Sequence, residues 1–218
     1  MTRGVVFDLD GTLIDSLPDI AAAANALLAD HGLDPLPTAQ IGSFVGMGER
    51  VFLDRLIAAT ALDADQYDPL MDQFMTLYKA STGLTTVFPG VVDAVMRLKV
   101  EGFKLGICTN KPGGPLEAVL EAVDLGKWFD VIIAGDSLPV RKPDPAPLRL
   151  AFERMAVTEG VYVGDSDVDA ETAQRAGVPF ALFTEGIRTK PIDAIPHDRA
   201  FERFTDLPDL CRVLIRPI

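Results

Sequence analysis

A chain of 218 residues, 48% of them hydrophobic and 24% charged, can bury its own core and lies far from the composition of disordered polypeptide. A formal charge of −12 excludes nucleic acid as an expected partner, because phosphate backbones are gripped by lysine and arginine footprints that no stretch here supplies. There is neither a run of about 18 apolar residues nor a charged leader before an apolar stretch, so a membrane is excluded in the same way and a cytoplasmic protein, monomer or homodimer, is expected.

The first apolar run, Val5 to Leu9, is unbroken rather than alternating, which predicts a strand covered on both faces. It leads into Asp8-Leu9-Asp10-Gly11-Thr12, two carboxylates two residues apart where the chain leaves a sheet. From Leu17 to Leu84 the patterns are helical and no strand is evident; Val51 to Ala59 and Tyr67 to Tyr78 are the clearest helices. His31, just before Gly32, reads as the end of a helix, and His197 lies in a polar loop. Phe88-Pro89-Gly90 is a turn signal that returns the chain to the core.

Beyond it, helices and strands alternate. Val91, Ala94, Val95 and Leu98 take the i, i+3, i+4, i+7 spacing, as do Leu116, Val119, Leu120 and Val123, and then Leu148, Ala151, Phe152 and Met155. Strands are expected at Leu105 to Thr109, Val131 to Ala134, Val161 to Val163 and Phe180 to Phe183, with Trp128 and Phe129 packing before the third. Cys108 and Cys211 are too isolated for a disulfide framework and read as small buried hydrophobes. The sum is an α/β fold, a doubly wound parallel sheet of Rossmann-like type. Residues 1–16 and 85–218 would form its catalytic core and residues 17–84 a helical cap inserted after the first strand.

Ligands of open α/β sheets bind beyond the carboxyl ends of the strands. Asp8 and Asp10 would face such a site, and an ordinary Asp, with pKa about 3.9, is already ionised at neutral pH. One can therefore be a nucleophile without a base to activate it, and the other can move a proton at the leaving oxygen. A second acidic group, Gly164-Asp165-Ser166-Asp167-Val168-Asp169, follows another strand; a helix cap near Asp169 needs one acid, and here there are three. Carboxylates converging on one spot repel unless a cation sits among them, and all-oxygen ligands beside a phosphate point to Mg²⁺. Thr109 and Asn110 offer a hydroxyl and an amide at a strand end, and Lys142, locked between Arg141 and Pro143-Asp144-Pro145, offers a point charge.

These residues, in this order, resemble the motifs of the haloacid dehalogenase-like hydrolases over nearly the whole chain. The resemblance implies that Asp8 is the nucleophile and Asp10 the general acid and base. Thr109 and Lys142 would contact the phosphate, with Asn110, Gly11 and Thr12 also on the substrate side. Asp8, Asp10 through its main-chain oxygen, and Asp165 would hold the metal, with Asp169 joining or supporting them. The second aspartate is the mark of the phosphatase rather than the dehalogenase branch. The run Arg141 to Leu148 and the segment Val45-Gly46-Met47-Gly48 look most like those of bacterial phosphoglycolate phosphatases. In that segment Gly46, Gly48 and Arg50 either reach a substrate carboxylate or form a glycine loop with Arg50 in solvent. The expected reaction is hydrolysis of a small phosphorylated metabolite, 2-phosphoglycolate, through an aspartyl-phosphate. Its rivals are a phosphosugar mutase, a phosphatase or pyrophosphatase of another substrate, and a noncatalytic phosphometabolite-binding protein.

Overall fold

In the structure, a computed structural model describing residues 2–218, five parallel strands form the centre of one sheet and a sixth extends it. The strands are β1 (Arg3–Phe7), β4 (Lys104–Cys108), β5 (Val131–Ile133), β6 (Glu159–Gly164), β7 (Phe180–Phe183) and β8 (Arg199–Phe201), in the order β5-β4-β1-β6-β7-β8. A two-residue strand, β9 (Arg216–Pro217), pairs antiparallel with the first residues of β6. The unbroken apolarity of these strands has a plain cause. Val5 and Phe7 enter one buried cluster while Val6 enters another on the opposite face, and Val161 and Val163 are divided from Tyr162 in the same way. One face is covered by α5 (Val91–Val100), α6 (Gly113–Ala122) and α9 (Leu207–Leu214), the other by α7 (Ala146–Arg154) and α8 (Asp167–Ala176).

Between β1 and β4 the chain makes α1 (Leu17–Asp30), α2 (Thr38–Gly42), α3 (Glu49–Ala59) and α4 (Tyr67–Ala80). Their apolar faces form a cluster of their own, including Ile20, Leu27, Leu53, Leu56, Leu70 and Phe74. The two strands of chain that enter and leave this segment are tied together. Ile14–Asp15 (β2) pairs with Thr86–Val87 (β3), and the buried Asp19 carboxylate accepts hydrogen bonds from the backbone N–H groups of Leu84 and Thr85 and from the Thr85 hydroxyl. Among the described residues no helix is long and apolar enough to cross a membrane.

One expectation shifts in detail and another holds. The helix after β6 starts at Asp167 rather than near Asp169, because Ser166 is its N-cap and Asp169 closes the capping box from the third position. His31 is the C-cap residue of α1, as its place before Gly32 predicts.

Candidate active site

Parallel strands all end at one edge of the sheet, so the residues that follow them are brought to one place. Asp8 is the first residue beyond β1, Thr109 the first beyond β4 and Asp165 the first beyond β6, while Lys142 comes from the loop between β5 and α7. Asp8 is fixed by its own backbone, whose N–H donates to the Val163 carbonyl at 2.8 Å.

Lys142 is the centre of this edge. Its ammonium, on a side chain 2% exposed, lies 2.8 Å from Asp8 Oδ1 and 2.7 Å from Asp169 Oδ1, and donates to the Tyr162 hydroxyl at 2.9 Å. Burial works against its charge, but the two carboxylates outweigh it and hold Lys142 above the usual lysine range. Burial pushes the Asp8 carboxyl up to about 7, with Lys142 opposing and Asp169 adding to the push.

Asp8, Asp165 and Asp169 each bring a carboxylate oxygen within 4.8 Å of the others. They are not equivalent. Asp169 Oδ1 accepts from Lys142 Nζ and from the Tyr162 hydroxyl, and Oδ2 from the Ser166 backbone and hydroxyl, so its lone pairs are committed and its pKa lies below the usual carboxylate range despite burial. With those bonds Asp169 holds Lys142 and caps α8, and its carboxylate still stands with Asp8 and Asp165 in the one group of three acids that could hold an ion among the described residues.

Asp165 is the opposite case. Its Oδ1 accepts from the Thr12 hydroxyl at 2.7 Å, but its Oδ2 is buried with no hydrogen-bond partner. Burial, then the charges of Asp169 and Asp8, push its carboxyl well above the usual range. The space around Oδ2 is kept by two glycines. A Cβ on Gly11, whose φ is +86°, would lie 2.5 Å from Oδ2, and one on Gly186 would lie 2.5 Å from Oδ2 and 2.3 Å from the Asp165 Cβ. An orphaned buried carboxylate oxygen beside two further aspartates suits a hard cation that takes oxygen ligands.

Gly11 and Thr12 lie against the Asp165 carboxylate rather than on the cavity wall. Asn110 lines it, but its amide is fully engaged. Nδ2 donates to the carbonyls of Gly46 and Lys142 at 2.9 and 3.0 Å, and Oδ1 accepts from the Lys142 backbone at 2.9 Å. It knits three loops and has no side-chain donor left for a phosphoryl oxygen. Thr109 lines the cavity, and its oxygen accepts from the Lys111 backbone, which leaves the hydroxyl hydrogen to give.

The cavity, with about 530 Å³ of empty space when its open mouth is included, lies between this edge and the helical segment. Ile20, Val45, Phe52, Phe74 and Tyr78 give it an apolar wall, with Phe74 stacked between Phe52 and Tyr78 at ring separations of 4.9 and 5.6 Å. Arg50 is exposed and does not line it, as in the second of the two readings of this segment. Successive residues of a helix point about 100° apart, and in the first turn of α3 it is Glu49 that faces inward. The Glu49 carboxylate receives both arms of Arg141, at 2.7 and 3.1 Å, from the residue next to Lys142.

Lys111 and Tyr78, both on the cavity wall, escape the sequence reading as a pair. Lys111, 2% exposed in its side chain, places Nζ 2.9 Å from Asp10 Oδ1 and hydrogen-bonded to the Tyr78 hydroxyl. Burial opposes its charge, but Asp10 and Tyr78 outweigh that and raise its pKa; Tyr78 itself is pushed up to about 12 by burial and by Asp10. Asp10 Oδ1 also accepts from Ser16 at 2.5 Å. The sequence signal for Lys111 is its context, a lysine before Pro112 just past a strand, as Lys142 stands before Pro143. Cys108 and Cys211 are buried and free, and burial pushes the Cys108 thiol up to about 12. His31 and His197 bind Gln73 and the Ile195 carbonyl and lie outside the cavity.

A doubly wound sheet with a carboxylate-rich edge facing an inserted helical segment defines an α/β protein of a recognised kind. Residues 5–183 match the model of the haloacid dehalogenase-like hydrolases, and the chain belongs to that family. It is 48% identical over 215 residues to a phosphoglycolate phosphatase of Cereibacter sphaeroides, covering 97% of this chain and 99% of that one. It is 38% identical to a phosphoglycolate phosphatase of Caulobacter vibrioides, covering 97% and 91%. The crystal structure of a predicted phosphoglycolate phosphatase from Haemophilus somnus superimposes with a TM-score of 0.90 at 29% identity, covering 96% of this chain and 97% of that one.

Proposed function

We propose that this protein is a Mg²⁺-dependent phosphatase of the cytoplasm that converts 2-phosphoglycolate to glycolate and inorganic phosphate. The observation that carries the reading is the buried edge at which Asp8 meets Lys142 beside the unpartnered Oδ2 of Asp165. The phosphoglycolate phosphatases similar over nearly the full length support the choice of ester.

In this reading Asp8 attacks phosphorus in line while Lys142 and the Thr109 hydroxyl hold the phosphoryl oxygens. The bond from phosphorus to the ester oxygen breaks as the bond to Asp8 forms, and Asp10 gives its proton to the departing glycolate oxygen. Asp10 then takes a proton from water, whose oxygen attacks the same phosphorus and returns Asp8 as a free carboxylate. Asp8, Asp165 and the main-chain oxygen of Asp10 would hold Mg²⁺, which neutralises phosphate charge and lets a protein of net charge −12 bind a dianion. Asp169 acts through Lys142. Residues 17–84 act as a cap over the core of residues 1–16 and 85–218, keeping bulk water from the site.

The test is phosphate release from a panel of monoesters with and without Mg²⁺. Metal-dependent release with the highest kcat/KM for 2-phosphoglycolate is expected. Faster release from sugar phosphates, nucleotides or pyrophosphate would overturn the substrate, and release from none would overturn the activity.

A further inference from the structure

Two buried ammonium groups line the cavity, and the reaction above employs one. Lys142 stands at the Asp8 end, tied to Asp8 and Asp169. Lys111 stands at the Asp10 end, where Asp10 Oδ1 and the Tyr78 hydroxyl take two of its three donors. Tyr78 accepts in that contact, so its own hydroxyl hydrogen is left to give. One spare N–H and one spare O–H thus share a corner whose remaining walls are Ile20, Val45, Phe52 and Phe74. A buried cation among apolar walls, with donors to spare, is built for an anion.

The chemistry of the ester says which anion fits. In the phosphate ester of a 2-hydroxy acid a single carbon separates the carboxylate from the oxygen that leaves phosphorus. The group that protonates that oxygen and the cation that receives the carboxylate must therefore be close neighbours. Asp10 and Lys111 are, at 2.9 Å. A sugar phosphate or a simple alkyl phosphate presents neutral carbon at this place and gives the ammonium nothing comparable. The other charges at the mouth are engaged elsewhere: Glu49 pairs with Arg141, and Arg50 is exposed away from the cavity.

We infer that Lys111 and Tyr78 together form the carboxylate-recognition element, and that they select phosphate esters of short 2-hydroxy carboxylates. The inference rests on the phosphatase reading above and names the feature of the substrate that the site discriminates. It also divides the recognition between the two segments, since Lys111 follows β4 and Tyr78 belongs to α4.

The measurement is the ratio of kcat/KM for 2-phosphoglycolate to that for 2-hydroxyethyl phosphate, its uncharged counterpart, in the wild type, Lys111→Met and Tyr78→Phe. Whatever the loss of the Lys111 contact costs Asp10 acts on both esters and cancels in the ratio. The ratio is expected to fall about 30- to 100-fold in Lys111→Met, the scale of a hydrogen-bonded charge, and about 3- to 10-fold in Tyr78→Phe, with the change mainly in KM. Should Lys111→Met not fold, Lys111→Arg, which keeps the charge but displaces it, and Tyr78→Phe carry the test by the same ratio. Variants that slow both esters equally would overturn this inference alone. A wild type with a ratio near one would overturn it together with the choice of substrate, and phosphate release from neither ester would overturn the phosphatase reading beneath both.

Discussion

The sheet edge and the helical segment meet across one cavity but are assembled on opposite principles. At the edge, Asp8, Lys142, Asp165 and Asp169 are buried, and their mutual contacts come from the core's own strand ends, one loop and the first turn of α8. Burying that much charge is costly, and the edge holds it only because most partners are present before any ligand arrives. The helical segment offers instead a wall of apolar side chains, with Tyr78, Glu49 and the Gly46 carbonyl as its polar contacts across the gap. In the proposed reading, the groups that any phosphate ester requires are set at the sheet edge, and the pair that distinguishes one ester from another, Lys111 and Tyr78, is drawn from both sides.

If that division is right, the largest effects belong to the edge. Asp8→Asn should lower turnover by about 10⁴-fold or more while circular dichroism and gel filtration stay those of the wild type. Near-wild-type phosphate release from this variant would break the comparison at its strongest point. Lys142→Met should be almost as damaging to activity and should also destabilise, by about 3–5 kcal/mol in denaturant titrations, because it strands Asp8 and Asp169 as buried carboxylates without their cation. Equal stability of the variant would mean that the edge tolerates unpaired charge.

Asp165 sharpens the same point through pH. A carboxyl whose pKa is raised on folding binds a proton that the unfolded chain has already lost, so stability falls as pH rises between the two values. For Asp8 that window runs from 3.8 to about 7, and Asp165 shifts in the same direction. The metal-free protein should therefore lose stability across this range. Saturating Mg²⁺ should restore it, by about 2.7 kcal/mol at a hundredfold excess over Kd. Thermal unfolding in EDTA and in Mg²⁺ across the window measures the gap, which should widen with pH. Asp165→Asn should remove most of it. A gap independent of pH would detach the cation from these carboxylates.

The unequal legibility of the two halves follows from the same physics. Lys142 is marked by its place among prolines in the loop beyond one apolar run. Asp8, Thr109 and Asp165 stand directly after unbroken apolar runs, and a parallel sheet can only bring such positions together. Asn110 shares that signal yet spends its amide on the backbone of Gly46 and Lys142, partners 64 and 32 residues away that no local pattern indicates. The bond of Asp169 to Lys142 is not legible, because a carboxylate that pairs with a lysine and one that binds a metal are spelled alike. Lys111 is hidden by the ordinary habit of loop lysines, which is to be solvated. Among the elements, β2, β3 and β9 are two residues long and β8 three, too short for any periodicity, whereas α9 does carry it in Leu207, Leu210, Cys211 and Leu214.

The smallest effects should fall on two neighbours of α3, and they separate a residue that joins the halves from one that merely lies near the seam. Glu49 binds both arms of Arg141 across the gap, its side chain 14% exposed, so Glu49→Gln removes a bidentate pair beside Lys142. Such half-buried pairs contribute about 1 kcal/mol, so KM for phosphate esters should rise about fivefold, with kcat changed less. Arg50, one residue on, is exposed to solvent, and its backbone carbonyl accepts from the Tyr67 hydroxyl at 3.3 Å. Arg50→Ala should leave kcat and KM within about twofold, as surface substitutions usually do. A large rise in KM from Arg50→Ala would mean that α3 rotates or descends when substrate binds, carrying the arginine inward. The helical segment would then be a moving part of recognition rather than a fixed wall, and the contrast between the two halves would have to be drawn in the bound state.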